Sequence, residues 1–187
     1  MRNAKKAARL WEVCEIRRMV KIGLLSDTHG WLDPRVFHHF AEVDEIWHAG
    51  DFGEGVLEAL QDFKPLRGVW GNIDGHTVRA QTPEHLRFRI EEVDVWMTHI
   101  AGLPGKWAKP IAADIAANPP TLLVCGHSHI CKVQFDKRLG TLYMNPGAAG
   151  RHGFHHQRTL LRFEIAGSKI QHLEVVELGP RAERFAP

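Results

Sequence analysis

Five short polar fragments carry the residue types that hold divalent cations: Asp27-Thr28-His29, Gly50-Asp51, Gly71-Asn72, Thr98-His99 and Gly126-His127-Ser128-His129. Between them they offer two Asp, one Asn and four His. Carboxylate, amide oxygen and imidazole suit Mn, Fe(II), Zn or Ni, and without thiolates softness does not choose among these metals. Seven donors suffice for two ions side by side, because each oxygen of a carboxylate can bind a different ion. The chemistry such a pair supports is metal-assisted hydrolysis. Each fragment alone is weak: an Asp after a strand is usually a turn residue, and Gly-Asn usually marks a turn. The weight lies in their joint occurrence, in order, mostly after apolar runs.

Those runs are the elements that must bring the donors together. Residues 20–25 are apolar and end in Ser26-Asp27, the pattern of a buried strand. Asp33-Pro34 opens a helix to about residue 41. A second strand is expected at 45–49, a helix at 54–63 and a third strand at 66–70. This βαβαβ order implies parallel strands with right-handed crossovers. Beyond Asp74 the pattern changes. Residues 86–90 and 93–98 read as a hairpin, 106–117 as a helix and 121–125 as a buried strand. Residues 132–135, 141–144, 159–165 and 169–178 follow as further strands, so the second half is rich in antiparallel pairing. The fold class is α/β: two packed mixed β-sheets with helices outside. In such sheets functional groups gather past the carboxyl ends of strands, where Asp27, Asp51 and Asn72 stand. Gly50, Gly71 and Gly126 precede three of the donors and leave room beside them.

The chain has 187 residues and a formal net charge of +2. That length fits one domain, expected over 19–187, and can bury roughly 70% of its unfolded surface. The charge is too small to require nucleic acid or a membrane as partner. No apolar run reaches the roughly 18 residues that span a bilayer. Three Cys, an odd number, favour a reducing compartment, here the cytoplasm. Residues 1–18 stand apart as a basic extension with Leu10, Trp11, Cys14 and Arg18 at helical spacing. Three readings stay open: a start at Met19 with the preceding residues mis-called, a helix packed on this or another subunit, or a basic arm for anionic partners. The second leaves room for a homo-oligomer.

The ordered fragments resemble the calcineurin-like metallophosphoesterase superfamily, in particular its small bacterial and archaeal phosphodiesterase branch. The resemblance spans residues 19–178 and rests on Leu25-Ser26-Asp27-Thr28-His29-Gly30, His48-Ala49-Gly50-Asp51, Val69-Trp70-Gly71-Asn72-Ile73-Asp74, Met97-Thr98-His99, Val124-Cys125-Gly126-His127-Ser128-His129 and Asn145-Pro146-Gly147. It implies a four-layer αββα sandwich. It further implies that Asp27, His29, Asp51 and His129 hold one metal, and that Asp51, Asn72, His99 and His127 hold a second, with Asp51 bridging. Manganese is favoured. The implied reaction is hydrolysis of a small phosphoester, a nucleotide among the candidates, by a hydroxide shared between the metals. Asp51, Asn72 and His99 would act in catalysis, and Asn72 and Arg151 would contact substrate.

Two positions depart from the family pattern. Ile73 stands where many relatives carry the His thought to protonate the leaving group, and losing such an acid costs about 10²–10⁴-fold, most for poor leaving groups. This favours diesters over phosphomonoesters or nucleotides as monoester substrates. Ile100 stands where relatives usually have Gly, and is expected to narrow the pocket or shift His99. His76 is a substitute acid at best, more readily a surface residue. A non-catalytic scaffold is the rival function, since the same fold serves a retromer subunit with a degraded metal site. Asp74 is expected to orient a ligand or cap a turn. His152, His155 and His156 look like a metal cluster, but they sit in a Gly-flanked loop without carboxylates, which makes adventitious metal binding the lesser reading. Cys125-x-His127-x-His129-x-Cys131 has period 2 and is too extended for one zinc ion, so Cys125 reads as core. Trp31, Trp47, Trp70, Trp96 and Trp107 suit either nucleobase stacking or core packing.

Overall fold

The computed structural model describes residues 19–181; the basic extension and the last six residues lie outside them. The first half folds as β1 (Val20–Leu25), α1 (Arg35–His39), β2 (Glu45–His48), α2 (Val56–Phe63) and β3 (Leu66–Gly68). β1, β2 and β3 run parallel, as the βαβαβ pattern requires. Then come α3 (His76–Gln81), β4 (His85–Ile90), β5 (Val93–Thr98), β6 (Gly102–Leu103), β7 (Lys106–Trp107), α4 (Lys109–Ala117) and β8 (Leu122–Val124). The chain closes with β9 (Cys131–Asp136), β10 (Thr141–Pro146), β11 (Gln157–Ala166) and β12 (Lys169–Pro180). One sheet has the order β12-β11-β1-β2-β3 and the other β4-β5-β8-β10-β9. Both are mixed: β11 is antiparallel to β1, while β8 is parallel to β5 and β10.

The period-2 alternation of the strands sorts their side chains into three apolar layers. Ile22 and Leu24 of β1, Trp47 of β2, Val95 and Met97 of β5, Val124 of β8 and Phe163 of β11 meet between the sheets. The opposite face of the first sheet, with Leu25, Ile46 and Leu160, packs on Val36 of α1, Leu57 and Leu60 of α2 and Val78 of α3. The opposite face of the second, with Trp96, Leu123 and Tyr143, packs on Ile111 and Ile115 of α4. This is a four-layer αββα sandwich. Each fully buried Leu, Ile or Phe contributes about 1.5–3 kcal/mol, and the central layer and the layer under α1, α2 and α3 both hold many such residues.

Three local expectations are corrected. α1 keeps to Arg35–His39 rather than reaching residue 41; the Asp33 carboxylate accepts the Arg35 N–H at 2.9 Å and marks its start. Residues 106 and 107 are not helical but pair with 103 and 102 in a two-stranded ribbon, and α4 begins at Lys109 with Pro110 in its first turn. α3 went unread because its six residues give too short an apolar pattern.

Candidate metal centre

The donor-bearing fragments sit on one rim, past the carboxyl ends of β1, β2, β5 and β8 and beyond β3. Their backbone is unusual. Of seven non-glycine residues with positive φ among the described residues, five are the candidate ligands Asp27, His29, Asp51, His127 and His129, with φ from 49° to 68°. Such conformations cost about 1–3 kcal/mol each and persist where the surroundings over-determine them. The bends are held by backbone bonds between fragments: Asp27 N–H donates to Gly50 O at 3.0 Å, His29 N–H to Asp51 O at 3.0 Å, and Gly126 N–H to His99 O at 3.0 Å. Asp74, buried, ties two more loops, accepting from Gly53 N–H at 2.9 Å and Gly71 N–H at 2.8 Å. The approach at Gly71 is close enough that an added Cβ would overlap the Asp51 carboxylate.

The side chains then converge. His29 Nε2 lies 3.3 Å from His129 Nε2 and 3.6 Å from Asp51 Oδ2, and His129 Nε2 lies 3.1 Å from Asp27 Oδ1. On the other side, His99 Nε2 is 3.3 Å from the same Asp51 Oδ2 and 3.1 Å from Asn72 Oδ1, which is 2.9 Å from His127 Nδ1. Ligand atoms about 2.1 Å from one ion lie about 3.0–3.4 Å apart, close to most of these distances, while His29 stands somewhat farther off, 3.6 Å from Asp51 and 4.0 Å from Asp27. The seven sequence-identified donors thus lie on one rim, with Asp27, His29 and His129 on one side, Asn72, His99 and His127 on the other, and Asp51 between His29 and His99. The sharing differs from the expected form. One oxygen, Oδ2, faces both groups, while Oδ1 accepts the Ile73 N–H at 3.0 Å. Asp27 also borders both positions, with a carboxylate oxygen within 4.8 Å of ligand atoms of Asp51 and His99.

Hydrogen bonds set the tautomers. His99 Nδ1 donates to Ala49 O at 2.7 Å, which leaves Nε2 aimed at the centre. His155 Nε2 donates to Gly150 O at 3.1 Å, so its Nδ1 accepts from His129 Nδ1–H at 3.3 Å and His129 Nε2 keeps its lone pair. Behind the site His48 stacks on Phe52 at 3.6 Å, accepts Gly50 N–H at Nδ1 and donates from Nε2 to Thr28 Oγ1 at 3.0 Å. Burial holds His48 well below the usual histidine range, so it stays neutral and supports the Asp51 loop. Burial likewise lowers His29, His127 and His155. Burial opposes ionisation of Asp51, but the hydrogen bond and charge of His99 and the Ile73 N–H outweigh it and lower the carboxyl. His99 is raised: burial works against its charge, and the neighbouring Asp51 and Asp27 prevail.

A calcineurin-like phosphoesterase superfamily domain matches residues 20–168, most of the chain. The chain belongs to the calcineurin-like phosphoesterase superfamily. Solved structures with the same fold include a conserved uncharacterized protein, a predicted phosphoesterase, from Streptococcus pneumoniae, 20% identical over 86% of this chain and 90% of that one, TM-score 0.64. A protein described as a novel archaeal phosphodiesterase is 19% identical over 83% and 99%, TM-score 0.64. Vps29 from Entamoeba histolytica, solved in complex with zinc, is 16% identical over 84% and 98%, TM-score 0.62. No curated protein sequence matches the chain.

In this superfamily member a cavity of about 760 Å³ opens over donors from both sides of the centre, lined by His29, His129, Asn72, His127, Ile73 and Phe154 among others. Ile73 is 46% exposed and faces this cavity. His76, exposed on α3, is not among its lining residues, and neither is Arg151, whose guanidinium carbon lies 3.9 Å from the Trp31 ring centroid. His99 is buried, and Ile100 lines a slot beside it that His127 also borders. None of the tryptophans among the described residues lines the cavity: Trp47 and Trp96 are core, and Trp31 and Trp70 lie beneath arginines. Cys125 is core as expected, its thiol pushed up to about 12 by burial. Among the described residues no helix is long and apolar enough to cross a membrane.

The histidine-rich loop takes a place that its sequence did not indicate. It is not a separate cluster but a wall of the centre: His155 bonds His129, and the His152 ring lies 4.9 Å from that of His29. The only signal in the sequence was the density of His after a glycine-rich turn. Partners of this kind typically change metal affinity about 10–100-fold when replaced. His155→Ala is accordingly expected to weaken uptake at the His29–His129 position by that factor in a competitive chelator titration. Unchanged affinity would exclude a supporting role.

Proposed function

We propose that the protein is a cytoplasmic dinuclear-metal-dependent phosphodiesterase, with Asp27, His29, Asp51 and His129 holding one divalent ion and Asp51, Asn72, His99 and His127 the other. The observation that carries the reading is the single oxygen Asp51 Oδ2, 3.6 Å from His29 Nε2 and 3.3 Å from His99 Nε2. When bound, the metal pair supplies positive charge that lowers the pKa of water and offsets charge on the non-bridging phosphoryl oxygens. The oxygen and nitrogen donors fit Mn, Fe, Zn or Ni, and manganese is favoured.

The chain's own groups then divide the work. Ile73 N–H fixes the Asp51 carboxylate by holding Oδ1, and the His127 N–H holds both oxygens of Asp27 at 3.1–3.2 Å. Ala49 O and His155 fix which nitrogen of His99 and His129 faces the ions. With its Oδ1 between His99 and His127, Asn72 turns its amide N–H₂ away from those rings, and as an exposed side chain it can donate to a phosphoryl oxygen. The diester preference rests on two features. Ile73 cannot protonate a leaving group. Among the described residues the lining of the main cavity contains no Lys or Arg, so a monoester dianion finds no cationic side chain among them, whereas a diester carries one charge.

The test is hydrolysis of bis(4-nitrophenyl) phosphate beside 4-nitrophenyl phosphate. With Mn²⁺ or Ni²⁺ the diester should turn over faster, chelation should abolish the rate and added metal should restore it. A faster monoester rate would replace the reading by a phosphomonoesterase, and no rate with any divalent metal would leave a binding scaffold.

A further inference from the structure

Ser128 and Ile130 form a ridge with cavities on both sides. One side is the main cavity over the candidate metal centre. The other is a slot of about 280 Å³ lined by Ile100, Ala101, Leu103, Ala108, Ile130 and Lys132, with His127 at its edge. His127 borders both spaces, so the slot is continuous with the second ligand group.

Its wall is preformed. The β6–β7 ribbon is held by Ala108 N–H on Ala101 O at 2.9 Å, and Tyr143 of the second sheet donates its hydroxyl to Gly102 O at 3.1 Å. Three large aliphatic side chains nonetheless stay open on this wall: Ile100 is 42% exposed, Leu103 41% and Ile130 64%. Adjoining exposed aliphatics rimmed by polar groups mark ligand grooves more often than bare surface. A dry apolar cavity of about 150 Å³ is enough for benzene, so the slot accepts one substituted ring and not a long chain. The one cationic side chain on its wall is Lys132, half-buried, which makes no ion pair or hydrogen bond among the described residues.

We infer that this slot is a subsite for one ester arm of the substrate, a flat apolar arm bearing an anionic group that meets Lys132. The inference rests on the phosphodiesterase reading for the chemistry at phosphorus. A diester placed at the centre would lay one arm in the main cavity and the other across His127 into the slot. Ile100 then forms part of a specificity wall.

The test separates binding from turnover. Calorimetric titrations, with and without Mn²⁺, compare methyl 4-carboxyphenylphosphonate with methyl phenylphosphonate, two diester mimics whose aryl arm is held by an inert P–C bond, whose methyl ester is a poor leaving group, and which differ only in the carboxylate. The wild-type protein should bind the carboxylated mimic at least fivefold more tightly. Lys132→Met should erase that preference. Leu103→Glu, at an exposed position that folding tolerates, should weaken the carboxylated mimic at least tenfold. Equal affinity for the two mimics, or a preference that survives both substitutions, overturns the subsite. The affinity pattern without any diester hydrolysis would overturn the phosphodiesterase reading and leave the subsite standing.

Discussion

Asp51→Asn is expected to lower kcat/KM for an aryl phosphodiester by at least about 10²–10³-fold while the protein folds normally. The replacement is isosteric at a residue only 2% exposed, so packing is kept. Its chemistry is not. Ile73 N–H donates to Oδ1 at 3.0 Å, which obliges the amide oxygen of Asn to occupy that place. The NH₂ group then falls where Oδ2 stood, facing His29 and His99 with donors instead of a lone pair. Both groups of four lose their common member and a negative charge. Outer partners of metal ligands cost about 10–100-fold when removed, and a shared donor should cost more. The variant's rate and bound metal should fall together. A rate within threefold of wild type would refute the sharing of Asp51.

The second large effect concerns stability, at a place remote from the donors. Arg158 is fully buried, and its Nη1 donates to Asp33 Oδ2 at 2.7 Å. Its other nitrogens donate to Pro180 O at 3.0 Å and Leu178 O at 2.9 Å. Arg35 binds the same carboxylate from α1, with Nη2 2.6 Å from Oδ2. The cluster ties the loop after β1 to both strands of the β11–β12 pair. Asp33→Ala removes the carboxylate buried against Arg158, and breaking a buried pair from one side costs about 3–5 kcal/mol. For a chain of this length that lowers Tm by about 6–20 °C. The double variant Asp33→Ala with Arg158→Met should recover part of the loss, since two apolar groups bury without a charge. Burial opposes ionisation of Asp33, but hydrogen bonds from Arg35 and Arg158 outweigh it and hold the carboxyl well below the usual range. A group depressed in the folded state stabilises above its unfolded pKa, about 3.9, and loses that contribution as pH falls toward the folded value. The Tm gap between wild type and Asp33→Ala should thus be full at pH 6 and narrow below about pH 4. A gap constant from pH 7 to pH 3 would show that the carboxylate charge is not what stabilises.

The sequence made the ligand loops legible because each follows an apolar run whose period is fixed by a buried strand. Val20 to Leu25 could be placed as a strand from branching and apolarity alone, and with it Asp27. The parallel order of β1, β2 and β3 followed from the intervening helices. What remained hidden depends on long-range pairing. Nothing in residues 157–180 says that β11 lies beside β1, or that β8 lies between β5 and β10. The same holds at the centre. The seven donors were visible, but that one Asp51 oxygen faces both groups depends on the Ile73 N–H. His155 and His152 sit in a loop with no periodicity, so only the fold shows them against His129 and His29. Arg158 lies just outside the strand expected at 159–165, and its pairing with Asp33, 125 positions earlier, is visible only in the fold.

Eight contacts from seven side chains are expected to hold two ions through one shared carboxylate. Elemental analysis of protein loaded with Mn²⁺ and freed of excess metal measures this directly. The account predicts two ions per chain, falling to one or fewer in Asp51→Asn. One ion or none in the wild-type protein at saturating metal, or two ions retained in Asp51→Asn, would contradict it.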